Sequence, residues 1–381
     1  MLLTLLLASA NQCLGQLPLN QFKPLSDSAY QAVPEYQSGN KYQKDAILFM
    51  DMVADTHPYY IKPERRTEWF AKKAAMLEQC KDMEPDEAFA DALIAALGPL
   101  HDKHTDIATV KRMQEGRKAG SEKGAADGVE AIDMTQVVSP HNSFYDYRFF
   151  NEESICYLQF NRCMNALDYP FDKFLNDMFA KMEEEHIKTL VVDAQYNGGG
   201  SSQLCGQLLE HLYPNDKLKD FTTYLRFSDL MAMYNPGIAQ VKKNWEDDGH
   251  KDELYQMPTA KIPADYQQPK LYEGQVVFVM GPRTFSSAGM LMTLARDNHI
   301  GTIIGTNSTF PPSHYGEILP YKLPNTDVLG SISCKFFARP DAATVDDTFL
   351  APDYEVDLSD KAATWQFIVQ HFSATSPDTK N

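Results

Sequence analysis

Three short apolar runs restrict this chain more than any other feature: SICYLQF at residues 154–160, LVVD at 190–193 and QVVFVM at 275–280. Bounded runs of this length are strands, and the last two read as buried ones. Helical patterns separate and follow them. Phe171, Phe174, Leu175, Met178, Phe179 and Met182 recur at the spacing of one helix face. Residues 203–213 and 286–298 read as helices, with a further strand at 302–304. The alternation predicts an α/β core over residues 146–373 with substantial parallel character. In such cores the loops after the strands usually carry the chemistry. A last helix, 362–372, precedes a polar tail at 374–381.

Upstream, residues 40–106 read as a small helical N-terminal domain. Ile47, Leu48, Met50 and Met52 lie near helical spacing. Pro63 and Pro85 open two more helices, and Gly98 closes the last, the expected asymmetry of proline inside the start and glycine past the end. Residues 107–145 read as a connecting region, with the glycine-rich stretch GRKAGSEKGAADG at 116–128 as a loop. The first 16 residues, MLLTLLLASANQCLGQ, have the Leu-rich run and small-residue end of a secretory signal, although no Lys or Arg follows Met1. The run is too short to span a bilayer. Export, periplasmic or extracellular, is the expectation.

Charge narrows the partners. The 52 acidic residues exceed the 35 basic ones, for a net charge of −17. Such a surface repels phosphate backbones, so nucleic acid is excluded as a partner class. The six cysteines are scattered, with no CxxC pair. That argues against a zinc or redox site, and spacing alone assigns no disulfide.

Three segments hold residues suited to chemistry. In the first, DAQYNGGG from Asp193 to Gly200, an apolar strand runs into three glycines. Such a turn can aim backbone N–H groups at an oxyanion, or it can simply be a tight strand–helix connection. In the second, GPRTFSSAG from Gly281 to Gly289, serines open a helix. Ser286 there is either a nucleophile in the positive field of the helix N-terminus or only an N-cap. The third, LHDKHTD from Leu100 to Asp106, sets His101 and His104 among acids. A metal site lacks a third ligand at any familiar spacing, which leaves a solvated helix exit or a catalytic base.

In order and spacing these segments resemble the tail-specific, or C-terminal processing, serine peptidase family (S41-like). The family's pattern Asp, apolar, Arg, any, Asn, any, Gly, Gly falls on Asp193 to Gly200. Its Thr-x-Ser-x-x-Glu turn falls on Thr284, Ser286 and Gly289, and its Leu-x-Asp-x-His-Thr segment on Leu100, Asp102, His104 and Thr105. Gly305 and the stretches 313–320 and 345–356 resemble later family segments, so the match runs from about residue 43 to 372. There are departures. The family arginine is Gln195 and the family glutamate is Gly289. The lysine of Ser–Lys members falls on Pro311, which cannot be a base. Fewer than 50 residues, 107–153, stand where many relatives insert a PDZ domain. The chain is thus more similar to the tricorn-like branch, which takes its base from the Asp-x-His-Thr segment.

The resemblance implies a crotonase/ClpP-like α/β core and peptide hydrolysis through an acyl-enzyme, without cofactor or metal. Ser286 would be the nucleophile and His104 the base, with His314 in reserve and Ser313 as a helper hydroxyl. The N–H groups of Gly199 and Ser287 would bind the oxyanion. Asp346 or Asp347, near the family's C-terminal acidic position, would orient His104. The substrate would be a peptide or unfolded protein. The same departures fit a rival, a catalytically inactive peptide- or ligand-binding protein on this scaffold. An acyl-CoA enzyme of crotonase-like fold would need a basic nucleotide surface that the composition argues against.

Overall fold

The structure, a computed structural model, describes residues 14, 17–123 (backbone alone from 117), 144–167, 169–259, 262–344 and 348–374. Its strands are β1 (Lys23–Pro24), β2 (Asp106–Thr109), β3 (Tyr145–Phe150), β4 (Ile155–Phe160), β5 (Thr189–Asp193), β6 (Thr222–Leu225), β7 (Tyr255–Gln256), β8 (Gln275–Met280), β9 (Thr302–Gly305), β10 (His314–Lys322), β11 (Val328–Ala338) and β12 (Tyr354–Glu355). Its helices are α1 (Pro34–Ser38), α2 (Lys41–Thr56), α3 (Pro63–Ala71), α4 (Lys73–Gln79), α5 (Asp86–Leu97), α6 (Val110–Lys123), α7 (Phe171–Glu184), α8 (Ser202–Leu212), α9 (Asp229–Tyr234), α10 (Gly237–Asp247), α11 (Ser287–Asp297) and α12 (Lys361–Phe372). They sort into two compact units. The first comprises Met1–Gly128, Thr223–Pro258 and His314–Phe337, and the second the remaining segments.

The second unit is built on a sheet of order β12-β9-β8-β5-β4-β3. β4, β5, β8, β9 and β12 run parallel, and β3 pairs antiparallel with β4. The apolar runs are buried because both faces are covered. Cys156, Leu158, Phe160, Leu190, Val192, Val276, Phe278 and Met280 join α7, α8 and α11 in one core. The alternate residues Ile155, Tyr157, Val191, Val277 and Val279 meet α12 in another. This is the period-two alternation of a strand between two helical layers. Because β5 and β8 are parallel neighbours, the turns after them, 194–201 and 281–286, leave the same edge of the sheet.

The first unit is not purely helical. Its sheet runs β1-β10-β11-β6-β7, with β2 also paired to β11. Residues of α2 and α5 such as Phe49, Val53, Phe89 and Leu93 share one core with Leu319, Tyr321, Val328 and Ile332 of β10 and β11. The helical segment expected at 40–106 is therefore part of a larger, discontinuous unit. In the connecting region, 116–123 is helix α6 rather than loop; 124–143 lies outside the described residues. Lys, Arg, Gln, Glu and Ala around Gly116 and Gly120 are strong helix formers and outweigh the two glycines. The expected signal segment 1–16 falls outside the described residues except for Leu14, which is buried beside Leu17, Phe22, Met113, Ile318 and Leu329.

Candidate active site

In the second unit, β8 ends at Met280 and the chain turns through 281–286 into α11. Thr284 pins this turn internally: its Oγ1 accepts from the Gly281 N–H at 3.0 Å and donates to the Ala194 carbonyl at 2.8 Å. The Phe285 N–H donates to the Asn197 carbonyl at 3.0 Å. The serine turn is thereby fastened to the glycine turn after β5. Ser286 itself is 1% exposed. Its backbone has φ +54° and ψ −126°, and its side chain makes no helix-capping bond. A non-glycine residue held there carries strain on the order of 1–3 kcal/mol, and such strain clusters at functional positions.

The glycine turn answers that geometry. Gly199 has φ +91°, and a Cβ on it would lie 2.7 Å from Ser286 Cβ and 2.9 Å from the Phe285 carbonyl oxygen. Only glycine allows the two turns to approach this closely. Asn197 is fully buried. Its Nδ2 donates to the Phe160 carbonyl at 2.9 Å, and its Oδ1 accepts the Gly199 N–H at 2.8 Å. The Gly199 N–H, expected to point at an oxyanion, is thus held by Asn197 in this structure. Ser287 opens α11, with its Oγ donating to the Gly200 carbonyl at 2.7 Å.

Gln195 and Gly289 show how the family departures are accommodated. Gln195 Nε2 donates to both oxygens of Asp193, at 3.1 and 2.9 Å, and Tyr157 Oη donates at 2.7 Å. The amide braces this carboxyl without carrying a charge. Burial accordingly pushes the Asp193 carboxyl up, against the pull of those hydrogen bonds. At Gly289 a Cβ would lie 2.3 Å from the Phe310 ring, which packs edge-on to Phe285. Phe310 fills the space into which a glutamate there would grow.

In the first unit, His104 and Asp102 are both nearly inaccessible, each side chain 2% exposed. Asp102 is the hub. Its Oδ1 accepts the His104 backbone N–H at 2.9 Å and lies 3.6 Å from His104 Nδ1, an electrostatic contact longer than a hydrogen bond. Its Oδ2 accepts from Thr105 Oγ1 at 2.6 Å and from Ser333 Oγ at 2.7 Å, and faces His57 Nε2 at 3.1 Å. The His57 tautomer follows from its other nitrogen: Nδ1 accepts the Tyr59 N–H at 3.1 Å, so the proton sits on Nε2 and is donated to Asp102. Burial pushes the His57 ring below the ordinary histidine range, against the pull of Asp102. Burial also opposes ionisation of Asp102, but the His104 and His57 rings outweigh it and hold that carboxyl well below the usual range. The Arg226 guanidinium, buried, donates to the carbonyls of His57 at 3.0 Å and Ala54 at 2.6 Å, clamping the chain from which His57 projects.

His314, the expected reserve base, stacks on Phe337 at 5.0 Å, with its ring 6.5 Å from that of His104. Ser313 Oγ accepts the Arg339 N–H at 3.2 Å. Asp346 and Asp347 lie outside the described residues. Sequence reasoning placed no role on Asp102 or Asn197, although both stood in recognised segments, and missed His57 and Ser333. His57 is 45 residues from Asp102 in sequence, so no local spacing could reveal it. Among the described residues no group of three or more His, Cys, Asp or Glu side chains is arranged to hold a metal ion, and no helix is long and apolar enough to cross a membrane.

A strained serine at a strand–helix turn, backed by a glycine turn on the neighbouring strand, is a geometry that serine hydrolases use. The family profile described as Peptidase family S41 matches residues 154–356, more than half of the 381 residues. The chain belongs to that family, one of serine-type peptidases, whose substrates are peptides. No curated protein matches it. Among solved structures, the fold is similar to that of a candidate peptidase from Parabacteroides merdae, at 16% identity over 84% of this chain and 91% of that one, with a TM-score of 0.55. A lipoprotein from Streptococcus agalactiae aligns at 12% identity over 86% and 96% of the two chains, TM-score 0.49. The photosystem II D1 C-terminal processing protease aligns at 10% identity over 88% and 98%, TM-score 0.47.

Proposed function

We propose that this chain hydrolyses peptide bonds through an acyl-enzyme on Ser286, on a crotonase/ClpP-like core of the histidine-using, tricorn-like kind. One observation carries the reading: Ser286 is buried at φ +54° with its side chain withheld from helix capping, opposite a glycine that makes room for it. A serine serving only as an N-cap needs no such strain. In this reading Ser286 Oγ attacks the scissile carbonyl. His104 takes the proton through Nε2 and returns it to the leaving amine. Asp102, ionised and next to Nδ1, is the orienting acid in place of Asp346 or Asp347. The Ser287 N–H and the field at the start of α11 favour the developing oxyanion. Gly199 contributes space rather than its N–H. His314 remains the reserve base.

The test is labelling with a fluorophosphonate, wild type against Ser286→Ala, with His104→Ala and His314→Ala alongside. Wild-type labelling that disappears in Ser286→Ala and slows by orders of magnitude in His104→Ala supports the proposal. Pro311 and Gly289, at positions where relatives carry lysine and glutamate, favour the second reading, an inactive binding protein. A folded wild type that never labels, yet binds peptide, would establish it. The Leu-rich start supports export to the periplasm or beyond. Sequencing the N-terminus of the protein recovered outside the cytoplasm tests that.

A further inference from the structure

We propose that Cys163 and Cys205 form a disulfide that lowers the reactivity of Ser286; this regulation rests on the catalytic reading above. The two thiols are buried in the second unit with their sulfurs 3.6 Å apart. Sequence spacing hides the pair, because 42 residues separate them. Each touches part of the candidate site. The Cys163 backbone holds the glycine turn from below: its N–H donates to the Gly199 carbonyl at 3.1 Å, and its carbonyl accepts the Ser201 N–H at 2.7 Å. Its Sγ lies 3.6 Å from Asn197 Oδ1, the oxygen that holds the Gly199 N–H. Cys205, on the first turn of α8, directs its Sγ to the Ser287 carbonyl at 3.3 Å, one residue from the nucleophile.

A disulfide brings its sulfurs to about 2.05 Å, so closure from 3.6 Å must turn the sulfurs away from Asn197 and the Ser287 carbonyl or draw the two segments together. Either change loosens the turns that hold Ser286. The oxidant is a small-molecule disulfide. One thiolate, exposed when the buried pair opens locally, attacks it, forming a mixed disulfide and releasing one small thiol. The second protein thiolate then displaces the other half as a second small thiol. The protein pair thereby loses two electrons and two protons, and the reagent's S–S bond gains them. Hydrogen bonding by Cys163 and burial push the Cys205 thiol well up, so exchange quickens as pH rises.

The experiment incubates the reduced full-length protein with oxidised glutathione. It then maps non-reduced peptides by mass and measures the fluorophosphonate labelling rate. The expected results are a peptide pair joined through Cys163 and Cys205, lighter by two hydrogens than the reduced pair, and labelling slowed on the order of tenfold to a hundredfold. Dithiothreitol should restore the rate. Cys205→Ala should abolish both the cross-link and the response to oxidant; if that variant misfolds, Cys163→Ser supplies the same comparison. Two thiols that remain fully alkylatable after oxidation would overturn the disulfide. A cross-link with unchanged labelling would overturn its regulatory effect. If the reduced protein never labels, the catalytic reading and the regulation built on it both fail, while peptide mapping still decides the disulfide.

Discussion

Ser286 and Asp102 show how individual residues are prepared by their surroundings. Asp102 accepts from the His104 backbone, Thr105, Ser333 and His57. Asp102→Asn replaces one accepting oxygen with a donor in a ring of donors. Fluorophosphonate labelling of the folded variant should fall by roughly a thousandfold or more; labelling within a few-fold of wild type would remove Asp102 from the mechanism. The same carboxyl makes a pH prediction. It is held well below its ordinary value in the folded chain, so its stabilising contribution is present above the unfolded pKa of about 3.9 and lost as pH falls through the folded value. Acid unfolding followed by circular dichroism should therefore be less steep in Asp102→Asn. At Gly199, an alanine Cβ would meet Ser286 Cβ at 2.7 Å in a backbone conformation side chains avoid. Gly199→Ala should lower labelling far more than it lowers yield of folded protein, and an unaffected rate would show that the two turns part without consequence.

At the scale of elements, the site depends on how the connections after β5 and β8 are braced. Gln195 holds Asp193 without a charge, and Asp193 is pushed up by burial. A raised carboxyl stabilises the fold more as pH falls through its folded pKa. Gln195→Arg adds a cation beside it, should bring that pKa down, and should raise the melting temperature more at pH 7 than at pH 4. A shift of equal size at both pH values would mean that charge is not what changed. On α11, Gly289 lies under the Phe310 ring, which a Cβ would approach to 2.3 Å. Gly289→Glu, which restores the family residue, should destabilise the chain by about 1–3 kcal/mol or more through overpacking. Pairing it with Phe310→Ala should recover part of the loss, and additive effects in denaturant unfolding would contradict the contact.

For the whole molecule, the decisive feature is that the first unit is discontinuous. Its helices share one core with β10 and β11, which come from the far end of the chain. Removing residues 1–106 would expose Leu319, Tyr321, Val328 and Ile332, which are all but fully buried in the intact protein. Such a truncation should bind a hydrophobic dye and aggregate rather than leave a soluble core. A soluble, cooperatively folding truncation would show that the strands hold together without the helices. The role of His104 is for that reason best tested by point substitution in the full chain.

How much of this was legible beforehand depends on the range over which each cause acts. The buried strands β4, β5 and β8 and the helices α7, α8, α11 and α12 were readable because apolar periodicity is local and strong. The glycine turn, the serine turn and the Asp-x-His-Thr segment were readable because their residue types are rare in that order. Other features had no local cause. The long β10–β11 pair was not foreseen, since its pairing is decided by contacts with helices hundreds of residues away. Only the tertiary structure withheld the Ser286 side chain from capping and tied the Gly199 N–H to Asn197. It also made Asp102 the carboxylate beside His104 and brought Cys163 within reach of Cys205. The sequence by itself determined which residues could be buried and which could turn. The packed chain decided which of them meet, because hydrogen bonds and steric contacts act over a few ångströms in space however many residues lie between their partners.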